Sequence, residues 1–137
     1  EFTSRGINVI AVSVDSQFSH FAWKNTPVNQ GGIGQVRFPM VADITKQISR
    51  DYDVLFKDGV ALRGSFLIDK DGTVRHAVIN DLPLGRNIDE MIRMIDTMLF
   101  TNEYGEVCPA GWQKGDKGMT ASTAGVADYL ANNSDKL

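Results

Sequence analysis

The sequence predicts an α/β fold with a mixed central sheet, and three features carry that reading. A nearly unbroken β-branched run, INVIAVSVD at residues 7–15, leads at once into a capped helical stretch. Two strand-like runs flank a Lys-Asp-Gly turn at residues 70–72. A long amphipathic pattern then recurs at helical spacing from Ile88 to Leu99.

Taken in order, residues 2–6 read as the end of a helix with Gly6 as its stop. Residues 7–15 read as a strand buried on both faces, the pattern of a parallel sheet covered by helices. Ser16 is placed to cap a helix over 17–26, with Phe18, Phe21 and Ala22 on one face. A glycine-rich loop at 31–34 leads to a short strand within 38–43, and 45–52 reads as a short helix with Ile48 and Tyr52 on one face. Residues 65–69 and 73–79 form a hairpin. Asn87, followed three residues later by Glu90, suits a reciprocal cap for the next helix. Ile88, Met91, Ile92, Ile95, Met98 and Leu99 form its apolar face. Residues 103–122 have no period and are rich in Gly, Pro, Lys and Asp, so they read as an arm, closed by a short helix over 124–131. The chain thus divides into 1–102, part of one domain, and 103–137, a C-terminal arm. A βαβ unit followed by a ββα unit is the thioredoxin-like plan. A buried parallel strand at 7–15 also needs an earlier neighbour, so the domain is expected to be N-terminally incomplete in these residues. The chain begins with Glu1 rather than methionine, which fits a preceding segment.

Composition narrows the class. With 137 residues, 42% apolar and 23% charged, the chain is an ordinary soluble domain or a large part of one. A net charge of -3 argues against nucleic acid as the main partner. No apolar run approaches the roughly 18 residues of a membrane span, and no signal peptide is evident. One cysteine excludes an intrachain disulfide and suggests a reducing, cytoplasmic compartment.

Several motifs have bland readings. Gly31-Gly32-Ile33-Gly34 follows a helix and lacks the third glycine a dinucleotide loop requires. Asp69, Asp71 and Gly72 lack the spacing and closing glutamate of a calcium loop. His20 and His76 do not build a zinc site with a single cysteine. No cofactor or metal is expected. Arg63 is either a solvated loop arginine or a guanidinium stabilising an anion or thiolate. Arg86 is either a surface charge or an anchor near the same site. Cys108, in EVCPAGW at 106–112, is the residue that needs explaining. On its own it reads as a reactive thiol, one half of an intermolecular disulfide, a buried small hydrophobe or a hydrolase nucleophile. Pro109-Ala110-Gly111 does not promise the helix N-terminus that activates such nucleophiles.

Four stretches, DSQFSHFAWKNTP (15–27), GGIGQVRFPMVADITKQISRDYDV (31–54), ALRGSFLIDKDGTVRHAVINDLPLGRNIDE (61–90) and EVCPAGW, together resemble a typical 2-Cys peroxiredoxin. Within that family the chain is most similar to the bacterial alkyl hydroperoxide reductase peroxidase subunits. The resemblance covers essentially the whole chain. It implies a thioredoxin-like thiol peroxidase acting on hydrogen peroxide and organic hydroperoxides. A peroxidatic cysteine becomes a sulfenic acid, which a resolving cysteine on the partner subunit converts to a disulfide. Cys108 matches the resolving cysteine, Arg63 the active-site arginine, and Arg86 a second arginine of the same network. The family's Pro-(Thr/Ser)-Cys peroxidatic motif is absent here and is expected before Glu1, so these residues alone are expected to be inactive. The resemblance further implies a homodimer paired through the strand TVRHAVI and a ring of five dimers, a decamer, formed through residues 16–23. Thioredoxin or a flavoprotein disulfide reductase is the expected reductant. Some members pair a Gly-rich loop with Tyr-Phe in the last helix, which favours over-oxidation; here Tyr129 is followed by Leu130. The rival reading is a non-catalytic redox or chaperone-like oligomeric binding protein on the same fold.

Overall fold

The structure, a computed structural model, describes residues 1–57 and 59–134. It divides into two compact units, Glu1–Phe66 with Ala77–Arg86, and Leu67–His76 with Asn87–Leu137.

In the first unit a 3-10 turn, Thr3–Arg5, stops at Gly6. Strand β1 (Ala11–Ser13), helix α1 (Gln17–Asn25) and strand β2 (Met40–Ala42) then make the expected βαβ unit. The two strands run parallel, with Ala11 opposite Met40 and Ser13 opposite Ala42. Ser16 caps α1, its hydroxyl accepting the Ser19 N–H at 3.1 Å. The expectation of a long strand buried on both faces is corrected. β1 spans three residues, and one face is open, with Ile10 61% and Val12 42% exposed. Val41, registered opposite Val12, is exposed on that same side. A continuous apolar run reports the capacity to be buried on both sides, not whether both sides are covered. The apolar stripe of α1 likewise faces outward, with Phe18 75% exposed, and the buried residue of this helix is His20.

Asp43 ties the parallel pair to helix α2 (Gln47–Asp51). It is 2% exposed. Its N–H donates to the Ser13 carbonyl at 2.8 Å. Its carboxylate accepts the Ile48 N–H at 3.1 Å, the Ser49 N–H at 2.8 Å and the Ser49 hydroxyl at 2.7 Å. Lys46, at the cap position of α2, has φ 59° and makes no side-chain cap bond, so the more distant Asp43 serves instead. Burial alone would raise the Asp43 pKa, but the bonds from Ser49, Ile48 and Gln47 outweigh it and hold the carboxyl below its ordinary value.

Strands β3 (Arg63–Ile68) and β4 (Val74–Asn80) form the predicted hairpin. Asp69 Oδ1 accepts the N–H groups of Asp71 and Thr73, both at 3.0 Å, and Gly72 takes the φ of 81° that the turn requires. The four strands therefore form one parallel and one antiparallel pair.

The second unit is built on helix α3 (Ile88–Tyr104). Asn87 Oδ1 accepts the Glu90 N–H at 3.0 Å. The reciprocal half of that cap is corrected: the Glu90 carboxylate turns forward to Arg93. The charged guanidinium offers it two bonds where the cap offers one. Ile95 is 1% exposed at the centre of the helix's packed face, whereas Ile88 at its margin is 48% exposed. The arm after α3 lacks a period yet is closed. Val107 and Met119 exchange two backbone bonds at 2.9 Å, and Trp112 is 2% exposed. Helix α4 (Thr123–Asn133) follows, capped by Ser122. Among the described residues no helix is long and apolar enough to cross a membrane.

Two outcomes follow from this packing. Ile95→Ala is expected to lower the unfolding free energy by about 2–5 kcal/mol in urea titrations, and Ile88→Ala by about 1 kcal/mol or less. The depressed Asp43 pKa contributes stability that is present above the ordinary carboxyl value of 3.8 and lost as pH falls through the lower folded value. Asp43→Asn is therefore expected to flatten the stability profile below that value in acid titrations followed by circular dichroism.

Candidate active site

The first unit gathers the two arginines singled out in the sequence. Arg63 opens β3, and its Nε–H donates to the Leu82 carbonyl at 2.9 Å. Arg86 comes from the loop after β4 and reaches back to the same end of β3. Its Nε–H donates to Ser65 Oγ at 3.1 Å, and its Nη2–H to the Gly64 carbonyl at 3.2 Å. Gly64 must lack a side chain here, because a Cβ would lie 2.8 Å from the Phe66 ring and 3.1 Å from Val54. Partial burial, and after it the charge of Arg63, pull the Arg86 pKa below its usual value. Arg86 thus feels the charge of Arg63. The bonds above run to neutral oxygens, so they orient both cations without neutralising them. Such a pair draws an anion.

Cys108 belongs to the second unit, on the arm just beyond α3, and is half-buried. Burial pushes its thiol up; a bond with Thr101 and the charge of Arg93 pull it down, and the charge of Glu106 pushes it up again, leaving it above the ordinary value. The closed arm therefore favours the neutral thiol over its anion. A hydrolase nucleophile needs the opposite, a thiol lowered toward its anion.

Arg93 and Trp112, which the sequence reading passed over, organise this neighbourhood. Arg93 bonds both Glu90 oxygens, at 2.6 and 2.7 Å, and its Nη1–H donates to the Trp112 carbonyl at 2.9 Å. The Glu90 bond comes first among the causes that raise the Arg93 pKa, and the same bond lowers that of Glu90. The Trp112 ring lies 4.9 Å from Phe100, and its indole N–H donates to the Asp116 carbonyl at 3.1 Å. The available sequence signal was the Glu90–Arg93 spacing on one helix face, together with a tryptophan inside an otherwise polar arm.

Residues 1–77 match the AhpC/TSA family, and residues 98–132 match the C-terminal domain of 1-Cys peroxiredoxin. Alkyl hydroperoxide reductase C of Helicobacter pylori is 71% identical over 137 residues, spanning 100% of this chain and 69% of that protein. Human peroxiredoxin-4 is 48% identical over 138 residues, spanning 100% of this chain and 49% of that protein. The crystal structure of reduced Plasmodium vivax 2-Cys peroxiredoxin superposes with a TM-score of 0.93 at 48% identity, over 95% of this chain and 67% of that one. Enterococcus faecalis AhpC superposes with a TM-score of 0.70 at 34% identity, over 79% of this chain and 64% of that one. On this α/β fold, these likenesses define a thiol-dependent peroxidase of the peroxiredoxin class, and they favour catalysis over the non-catalytic binding reading. The chain belongs to the AhpC/TSA family.

Proposed function

We propose that these residues supply the resolving thiol and the anion-stabilising arginines of a two-cysteine peroxidase cycle. The observation that carries this reading is Cys108 itself, the single cysteine of these 137 residues, set in a closed arm where burial pushes its thiol above the ordinary value.

The cycle has two bond-forming steps. A peroxidatic thiolate attacks the O–O bond of hydrogen peroxide or an organic hydroperoxide. It becomes a sulfenic acid and releases water or an alcohol. Arg63 and Arg86 favour the thiolate over the thiol and stabilise charge developing on the leaving oxygen. The Cys108 thiolate, from the other subunit, then attacks the sulfenic sulfur. An S–S bond forms, the S–O bond breaks, and the departing hydroxide takes up the proton that Cys108 released on ionising, leaving as water. Thioredoxin or a flavoprotein disulfide reductase returns the disulfide to two thiols. The peroxidatic thiol is not among these 137 residues, so they do not turn over peroxide by themselves.

Assembly supports the same scheme. β4 pairs with β3 alone among the described residues, and its second edge suits the β4 edge of another copy. The outward Phe18 and Phe21 of α1 lie within the segment that would join dimers into a decamer.

In protein carrying the peroxidatic cysteine, Cys108→Ser is expected to abolish the peroxide-induced intersubunit disulfide. A dimer band persisting on a non-reducing gel would refute the resolving role. Arg63→Ala is expected to slow the stopped-flow reaction with peroxide by roughly a hundredfold or more, the scale of losing one preorganised donor, while leaving the thiol–disulfide step little changed. An unaltered peroxide rate would remove Arg63 from the site.

A further inference from the structure

Asp15, Ser13 and His20 form a hydrogen-bonded chain that neither the peroxide step nor the disulfide step uses. His20 is 4% exposed on α1. Its Nε2 lies 2.6 Å from Ser13 Oγ, and Ser13 Oγ lies 2.9 Å from Asp15 Oδ2. The order of donors follows from the groups themselves. An ionised carboxylate only accepts, so the Ser13 hydroxyl donates to Asp15. Ser13 Oγ then accepts from His20, which assigns the imidazole proton to Nε2. Nδ1 of the neutral ring keeps a lone pair, and that atom is buried without a hydrogen-bond partner among the described residues. A buried acceptor of this kind marks a place where a donor belongs.

The surroundings say which donor. His20 lines a cleft of about 310 Å³ together with Asp15, Ser19 and Trp23. Asp15 brings a negative charge, and among the described residues no lysine or arginine pairs with it. Ser19 brings a hydroxyl whose bond with Ser16 Oγ, at 3.1 Å, leaves lone pairs free. Trp23 brings an indole ring, 44% exposed, held in place by its N–H donating to the Gly31 carbonyl at 3.1 Å. Ser19 and Trp23 stand one helical turn apart, whereas Phe18 and Phe21 project from the other side of α1.

We propose that this cleft is a binding site for a primary ammonium group. The Asp15 carboxylate, the Ser19 hydroxyl and His20 Nδ1 are acceptors for the N–H bonds of such a group, and the face of the Trp23 ring attracts its charge. The alkyl chain behind the nitrogen leaves along the exposed ring. An anionic ligand is repelled by Asp15, and a quaternary ammonium has no N–H to offer Nδ1. The ligand is therefore a small alkylamine or the side chain of a lysine, the same chemical group from two sources. The site involves neither Cys108 nor a peroxidatic cysteine, so it stands or falls apart from the cycle proposed above.

The test is titration of the full chain with n-butylammonium chloride, followed by calorimetry and by the nitrogen-15 resonances of His20. Saturable binding is expected, with the Nδ1 resonance moving upfield as its lone pair accepts a hydrogen bond. Asp15→Asn should weaken binding about tenfold, from loss of a charge-assisted bond, and Trp23→Leu roughly threefold. Tetramethylammonium chloride, which carries the charge without the N–H donors, should leave Nδ1 where it is. A peptide with one lysine and its Nε-acetylated twin separate the two sources. Binding of the lysine peptide that is lost on acetylation supports a protein lysine as the occupant, and binding of butylammonium alone supports a free amine. Absence of saturable binding overturns the proposal, and so does binding that leaves Nδ1 unmoved. An equal shift of Nδ1 with tetramethylammonium also overturns it, because that marks a general effect of salt. Should Asp15→Asn not fold, the comparison of the two ammonium salts on the unmodified chain decides in the same way.

Discussion

Burial of Trp112 is the constraint on which the second unit depends. The segment around it has no helical or strand period, so no repeating backbone pattern can hold it. A single large aromatic residue, 2% exposed and stacked near Phe100, supplies the apolar anchor instead. Its carbonyl then needs a partner, and Arg93 provides one from a helix. The arm is thus held by the Trp112 ring against Phe100, the Arg93 bond to the Trp112 carbonyl, the Lys114–Asp96 ion pair and the Val107–Met119 backbone bridge.

The two units use arginine in opposite ways. Arg93 is neutralised by Glu90, so its charge is spent on structure. Arg63 and Arg86 bond carbonyls and a hydroxyl, and Arg86 feels the charge of Arg63. That arrangement is unfavourable until an anion arrives, and a thiolate and a developing oxyanion are the anions a peroxiredoxin generates. Cys108 is treated differently again: burial keeps it neutral while it waits. In the resolving role proposed for it, Cys108 has no need of a standing negative charge, because its partner sulfur exists only after peroxide has reacted.

Much of the fold was legible because its signals are local. Ser16 beside Ser19, the Asp69–Thr73 turn and the apolar spacing of α3 each fix structure within a few residues. What was not legible depended on longer reach or on what covers a face. The run at 7–15 could not reveal that Ile10 and Val12 are open on one side. Asp43 caps α2 from five and six residues away, across a left-handed Lys46 that no cap pattern anticipates. Glu90 had two possible partners, and the guanidinium three residues on won over the backbone behind it. The arm read as a tail because its order comes from Trp112 and Arg93, 19 residues apart. At the site, the roles proposed for Arg63, Arg86 and Cys108 rest on family resemblance. Arg63 and Arg86 lie too far apart in sequence for spacing alone to bring them together.

In the proposed cycle Cys108 rests closed on its own chain and attacks the sulfenic sulfur of another. Mixing isotopically light and heavy subunits under reducing conditions, oxidising with peroxide and digesting the product reads this directly by mass spectrometry. Cys108 disulfide peptides in which one half is light and the other heavy are expected beside the two pure forms. Disulfide peptides of pure light and pure heavy forms alone, from subunits shown to have exchanged, would contradict it.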